Sequence, residues 1–330
     1  MPNRFKLLII RLGVVGVMLI LISGCTESAK KDDSVNFYVD AVMLAESGQE
    51  PQAIEKLNRA VHINPDFAIA HSLLGNIYLK QNKLAESAKA YEKATAINPW
   101  SYEDFRDLGR VYRLMNDFAS AANAYAKAGD LDPQSSEARL GAADAYYNMQ
   151  DYEKALEYGK SAKDLAPTDS EVEKLLGDIY TARQDNELAI DSYKKALELK
   201  GNDPAIMLDL AVAYLRAERF DAAKELLEKV TAVDPNNADA WRHLGFTCLK
   251  LREIDLSIEK YQMAAQISPG DWRAHKGLGV AYMMKYRMLK GLDEPQAADF
   301  RKKALNHWSR SLDLNPAQDK LLQLYRKYVN

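Results

Sequence analysis

AIAHSLLGNIYLKQNKLAESAKAYEKATAINPWS, residues 68–101, decides the fold. Leu74 and Gly75 lie four and three residues before Tyr78 and make one stripe with it on a first helix. Tyr91 and Ala94 make a matching stripe on a second, and Asn98-Pro99 stops it. The stop recurs on a clock: Pro65, Pro99, Pro133 and Pro167 are each 34 residues apart. Of the following slots, Pro235 and Pro269 are filled, and Gly201 stands in the remaining one. Proline is only 11 of 330 residues, so this recurrence is not chance. A fixed period of this size marks stacked supersecondary units that bury their cores against one another.

With each clock proline at position 32, the units begin at Ser34, Ala68, Tyr102, Ser136, Ser170, Pro204, Ala238 and Trp272. Position 8 is small (Gly75, Gly109, Ala143, Gly177, Ala211, Gly245, Gly279), and position 11 is mostly tyrosine. Positions 20 and 27 are small again, as in Ala121 with Ala128, and position 24 between them is bulky. Two antiparallel helices approach closely only where side chains are small, so Gly or Ala at 8 faces the small residue at 20. Unit 4 breaks the rule, with Gly159 at position 24 and Tyr158 beside it. Unit 8 carries 13 extra residues near 286–298, where Gly291 ends one helix and Asp293 to Gln296 form a capping box that starts the next. Both helices of unit 8 are therefore expected to be lengthened into a paddle. A last amphipathic helix near Asp319–Tyr328 is expected to cap the open end of the stack.

This small–large pattern with its terminal proline resembles the tetratricopeptide repeat family over roughly residues 34–316. The resemblance implies an all-α, right-handed α-solenoid of about eight helix-turn-helix repeats, with 317–330 as the C-terminal capping helix. It also implies that first helices line a concave surface, chiefly through positions 2, 5, 6, 9, 12 and 13. Lys at position 5 with Asn at 9, the pair that family members use to clamp chaperone tails, is not found: Lys174 is followed by Asp178, and Asn76 follows Ser72.

Arg4, Lys6 and Arg11 precede an apolar run from Leu12 to Ile22 that ends in Ser23-Gly24-Cys25. A basic start, a short apolar core and small residues before a cut site describe a secretory signal, here 1–24. The run is shorter than the roughly 20 residues that a membrane span needs. Ile22-Ser-Gly-Cys25 resembles the bacterial lipobox, which implies cleavage and lipidation at Cys25, with 25–33 as a polar tether. A flexible tether of this length spans on the order of 15–20 Å and would keep the repeats near the bilayer. Thr26 after the cysteine implies, by the family's sorting rule, the outer membrane, facing the periplasm.

Loss of three basic residues with the signal leaves 41 basic against 47 acidic residues. Such a surface argues against nucleic acid, which requires a basic face. Cys248 would be left alone, a buried small hydrophobe without a disulfide partner. The five histidines (His62, His71, His243, His275, His307) fall in different units without metal-ligand spacing, although His243 and His275 are close enough in register to meet. No nucleophile elbow or phosphate loop is present, so no catalytic residue, metal, cofactor or small-molecule substrate is expected.

The concave register selects Asn76 and Lys80 in repeat 2, then Arg106, Arg110 and Arg113 in repeat 3. The three arginines are spaced i, i+4, i+7 and could together receive a carboxylate or acidic peptide, unless Asp107, Asp144 and Glu103 neutralise them. Tyr147, Lys174 and Arg242 occupy the same register. Leu208, Val212, Leu215, Phe246, Leu249, Val280, Met283 and Met284 make it apolar in repeats 6 to 8, unless the superhelix itself or the C-terminal helix covers them. The expectation is a lipid-anchored scaffold that holds a protein or peptide partner at the cell envelope, in secretion, pilus or cell-wall machinery. The alternative is a permanent accessory subunit held through its outer surface.

Overall fold

The computed structural model describes residues 33–329, and all regular structure among them is helical. The signal segment, Cys25 and nearly all of the tether lie outside the described residues. Helix α1 spans 33–46. The rest follow as α2 (Glu50–Ile63), α3 (Ala68–Lys80), α4 (Leu84–Ile97), α5 (Tyr102–Leu114), α6 (Phe118–Leu131), α7 (Ser136–Asn148) and α8 (Tyr152–Leu165). Then come α9 (Ser170–Ala182), α10 (Asn186–Lys200), α11 (Pro204–Arg216), α12 (Phe220–Val233), α13 (Ala238–Lys250), α14 (Ile254–Ile267), α15 (Trp272–Leu289), α16 (Glu294–Leu314) and α17 (Asp319–Val329). Successive helices pair as hairpins, and the chain divides into two compact units, one through Leu165 with α1–α8 and one from Ala166 with α9–α17.

The period sets the packing within each unit. The ring at position 24 lies flat on the small residue at position 8 of its own hairpin: Tyr91 on Gly75, Tyr125 on Gly109, Tyr193 on Gly177 and Tyr261 on Gly245. At Gly277 the ring of the preceding repeat comes so near that a Cβ would lie 2.3 Å from Tyr261, which only glycine tolerates. Where position 20 is serine, its buried hydroxyl donates back across the hairpin, Ser87 Oγ to the Gly75 carbonyl at 2.7 Å and Ser257 Oγ to the Gly245 carbonyl at 2.8 Å. A polar group in so tight a contact must be paired, and the facing carbonyl serves. In repeat 4, with Ala143 and Gly159 at positions 8 and 24, Tyr158 stacks on Tyr146 instead, ring centres 5.4 Å apart.

Every hairpin turn from repeat 2 to repeat 7 places a non-glycine residue in the left-handed region at position 15: Asn82, Asn116, Gln150, Gln184, Glu218 and Arg252, with φ between 56° and 68°. The motif is a helix C-terminal double bond, for example Lys83 N to Tyr78 O at 2.9 Å and Asn82 N to Leu79 O at 3.0 Å. Asn suits that conformation, whereas Gln150, Gln184, Glu218 and Arg252 each hold it against about 1 kcal/mol of strain. The first turn uses Gly48 there. Side-chain caps start many of the helices; Ser101, Ser135, Asp169, Asp203, Asn237 and Asp271 each accept from a first-turn amide.

The last hairpin is longer, with 18 residues in α15 and 21 in α16. Asp293 caps α16 through the Gln296 amide, while Glu294, not Gln296, reaches back, its Oε1 accepting from the Gly291 amide at 2.8 Å. Trp308 takes the position-24 place here and is 1% exposed. A Cβ on Gly279 would lie 2.1 Å from its ring, so this pair is the tightest form of the 8–24 contact. Helix α17 packs on α16, burying Leu321 and setting Tyr328 beside Trp308. Arg301 holds the Tyr328 carbonyl, its Nε donating at 3.1 Å.

Candidate functional site

In the second unit, the first helices of repeats 6, 7 and 8 (α11, α13 and α15) line an open cavity of about 680 Å³. Val212 and Leu215 from α11, Phe246 and Leu249 from α13 and Val280 from α15 form an apolar floor with the Tyr261 ring and Gly277. Hairpin packing buries positions 7, 8 and 11 and leaves 9 and 12 facing the cavity, which is why these five side chains remain there. Phe246 is 36% exposed.

Cations stand around this floor: Arg216 on α11, Arg242 on α13, and Arg273 and Lys276 on α15. Arg242 is neutralised, with its guanidinium on Asp239 and its Nε 3.2 Å from Asp271. Asp271 does two things, because its Oδ1 also caps α15 through the Arg273 amide at 2.9 Å. The other three cations form no ion pair among the described residues. Arg216 donates to the Thr181 carbonyl at 2.9 Å. Arg273 and Lys276 both lie over the Trp272 ring, 4.9 and 5.8 Å from its centre. Cation–π contact orients these groups without cancelling their charge. His243 lines the same cavity and meets Arg242 Nη2 at 3.3 Å. Burial, and then the Arg242 charge, push the His243 imidazole down to about 4, so it is neutral near pH 7.

Repeat 3 differs. Arg106 donates twice to Asp107, at 3.1 and 2.9 Å, and stands 3.9 Å from Glu137. Arg113 stands 3.9 Å from Asp144, and Arg110 is exposed without an ion pair among the described residues. Two of the three arginines are thus spent on carboxylates of their own and the next repeat, and Glu103 makes neither of these pairs.

The remaining candidates scatter. Asn76 and Lys80 are exposed on α3, and Tyr147 packs beside Tyr152. Lys174 is bound by Asp178 at 2.9 Å and Asp209 at 3.4 Å. Leu208 packs against the core between repeats 6 and 7. Met283 is 5% exposed, a core residue of the last hairpin: α15 is longer than the other first helices, and its packing on α16 takes position 12 inside. Met284 packs against that same core. His275 meets His307, Nδ1 to Nδ1 at 3.1 Å, and not His243. Cys25 lies outside the described residues. Arg216, Trp272, Arg273 and Lys276 are the functional additions. Arg216, Arg273 and Lys276 occupy positions 13, 2 and 5 of the concave register, so the signal that would have found them was present.

Among the described residues no group of three His, Cys, Asp or Glu side chains could hold a metal. No helix there is long and apolar enough to cross a membrane. Cys248 is fully buried, and burial pushes its thiol up to about 11.

Hairpins of this period, with paired small and bulky positions, define a helical-repeat scaffold. Models for tetratricopeptide repeats match residues 43–82, 68–101 and 112–179. A model described as the cytochrome c-type biogenesis protein H TPR domain matches residues 164–274. The chain carries tetratricopeptide repeats, and its fold is an all-α tetratricopeptide-repeat solenoid. Proteins built on this scaffold bind protein or peptide partners and are in general not enzymes.

Several solved structures share the fold. YrrB, a TPR protein with an unusual peptide-binding site, is 19% identical with a TM-score of 0.51, over 62% of this chain and 100% of its own. The C-terminal part of a TPR repeat-containing protein from Cytophaga hutchinsonii is 17% identical with a TM-score of 0.59, over 76% and 97%. The pilF protein of Pseudomonas aeruginosa is 20% identical with a TM-score of 0.53, over 63% and 94%. At these identities the likeness is one of fold alone. No curated protein matches the chain.

Proposed function

We propose that this chain is a lipid-anchored scaffold of the bacterial cell envelope that holds a segment of a partner protein in the groove of repeats 6 to 8. The observation that carries the proposal is the cavity itself. Its apolar floor leaves Phe246 36% exposed, and Arg216, Arg273 and Lys276 around it form no ion pair among the described residues. Its size lies within the range of about 300–1,000 Å³ typical of ligand sites. The peptide-binding site of YrrB, a protein of this fold, is in keeping with such a use.

Anchoring is supported by Arg4, Lys6 and Arg11 before the apolar run and by Ile22-Ser-Gly-Cys25 at its end. On this proposal the mature chain begins at Cys25, faces the periplasm from the outer membrane, and serves secretion, pilus or cell-wall machinery. It acts by binding, without chemistry, cofactor or nucleic acid. A second reading, a permanent accessory subunit held by its outer surface, draws on exposed apolar residues away from the groove. Met288 and Leu292, at the paddle tip, are 58% and 82% exposed.

Two experiments test these statements. Labelled palmitate enters the wild-type chain and not Cys25→Ser if the anchor is real; equal labelling of both removes it. A photoreactive residue at Phe246 gives one discrete adduct in the source cells, and one at Lys194 on α10 gives none. Adducts at Lys194 alone would replace the groove with the subunit reading.

A further inference from the structure

We propose that the segment held in this groove is extended, about six to eight residues between its charged ends, with a bulky apolar side chain at its centre and a carboxylate toward each end. The inference rests on the groove reading above and adds the chemistry of the occupant.

Charge placement gives the ends. Arg216 bounds the groove on α11, and Arg273 with Lys276 bounds it on α15. Helix α13 lies between, carrying Phe246 and Leu249. Neighbouring helices are about 8–10 Å apart, which puts α11 and α15 about 16–20 Å apart, and the step from position 13 to positions 2 and 5 adds about 12–17 Å along the helix axes, so the cations stand about 20–26 Å apart. An extended chain covers about 3.3–3.6 Å per residue, which gives about six to eight residues from one cationic side to the other.

Charge balance gives the sign. Several cations of this register are matched within the scaffold: Arg106 by Asp107, Lys174 by Asp178 and Asp209, Arg242 by Asp239 and Asp271. Lys80 and Arg110 are unmatched too, but both are exposed and neither lines the cavity. Arg216, Arg273 and Lys276 are left over, and all three edge one apolar cavity. A basic segment would be repelled from both sides, and a neutral one would desolvate three charges without return. The guanidiniums can take a carboxylate by two parallel bonds, and Lys276 adds a point charge. The floor offers alkyl and aromatic surface to a bulky side chain, bordered by neutral His243.

The test is display of random dodecapeptides against the full-length chain, with recovered peptides fluorescein-labelled and their Kd measured by polarisation. The expected sequences carry Asp or Glu on both sides of Phe, Leu, Trp or Met. Their Kd rises at least tenfold in Arg273→Glu/Lys276→Glu and in the milder Arg273→Gln/Lys276→Gln, and it rises with salt. Circular dichroism melts show which variants remain folded, and the Gln pair, which keeps both side-chain stems long, stands in if the Glu pair does not. Neutral or basic sequences whose binding is lost in Phe246→Asp would overturn the acidic assignment and leave the groove reading standing. Peptides indifferent to Phe246→Asp and to the charge variants would sink both. A display without enrichment over the Gln variant overturns the inference. So does sedimentation showing a dimer that Phe246→Asp dissociates, since a second copy would then fill the groove.

Discussion

Repeat 3 and repeats 6 to 8 present cations in the same register of the same hairpin, and they put them to different uses. In repeat 3 two of the three arginines, Arg106 and Arg113, face carboxylates of their own and the following hairpin, and Arg110 is exposed. In repeats 6 to 8 Asp239 and Asp271 pair with Arg242, while Arg216, Arg273 and Lys276 form no ion pair among the described residues and stand around an apolar floor. A row of arginines is thus weak grounds for a ligand site in a repeat protein. The informative feature is a cation without an ion pair beside apolar surface that the scaffold leaves partly open, as at Phe246.

Charge reversal should separate the two regions most strongly. Arg273→Glu with Lys276→Glu is expected to weaken binding of an acidic segment about 100-fold, near 2.7 kcal/mol at 1.36 kcal/mol per factor of ten. Arg106→Glu with Arg110→Glu should change it less than threefold. Equal losses by calorimetry would erase the distinction.

Acid should act through the second region. His243 titrates at about 4 in the folded chain, against about 6.5 unfolded, so the unfolded chain takes up this proton first as pH falls. Stability of the second unit is then full above about pH 6.5 and falls by on the order of 1–3 kcal/mol down to about pH 4. His307, lowered by burial and by His275, adds a loss of the same sign. His243→Gln should flatten the pH slope of the melting temperature, and an unchanged slope would contradict the burial of this ring.

Asp271→Ala removes the α15 cap and one partner of Arg242. It should cost about 1–2 kcal/mol by denaturant melt, while acidic peptides bind up to a few times more tightly because Arg242 is partly freed. Weaker binding would mean that Asp271 shapes the groove more than it screens it. The smallest effect belongs to Arg110→Glu, expected to shift stability by less than about 0.5 kcal/mol because this exposed arginine has no ion pair.

Much of this was legible in the sequence. The proline clock and the 8–24 pairing give the hairpins, and Val212, Leu215, Phe246, Leu249 and Val280 fall in the groove that their register assigns. Helix register says which face a residue is on, and that carries over from repeat to repeat. It does not say whether a facing residue is covered by a neighbour of irregular length, which is why Met283 is a core residue in the lengthened last hairpin. Nor does it give ion pairing, which depends on rotamers across two helices; Arg106 with Asp107 and Lys174 with Asp209 needed the structure. The left-handed residue at position 15 recurs as strictly as the proline, yet Gln, Glu and Arg stand there as well as Asn, so composition hides it. Trp308 was obscured by the 13 extra residues that displace it from the period.

The most direct test places the same photoreactive residue at Phe246 and, separately, at Arg110 in the full chain in its source cells. A discrete adduct from Phe246 with none from Arg110 is the predicted result. A discrete adduct from Arg110 with none from Phe246 would contradict the account and return the binding surface to repeat 3.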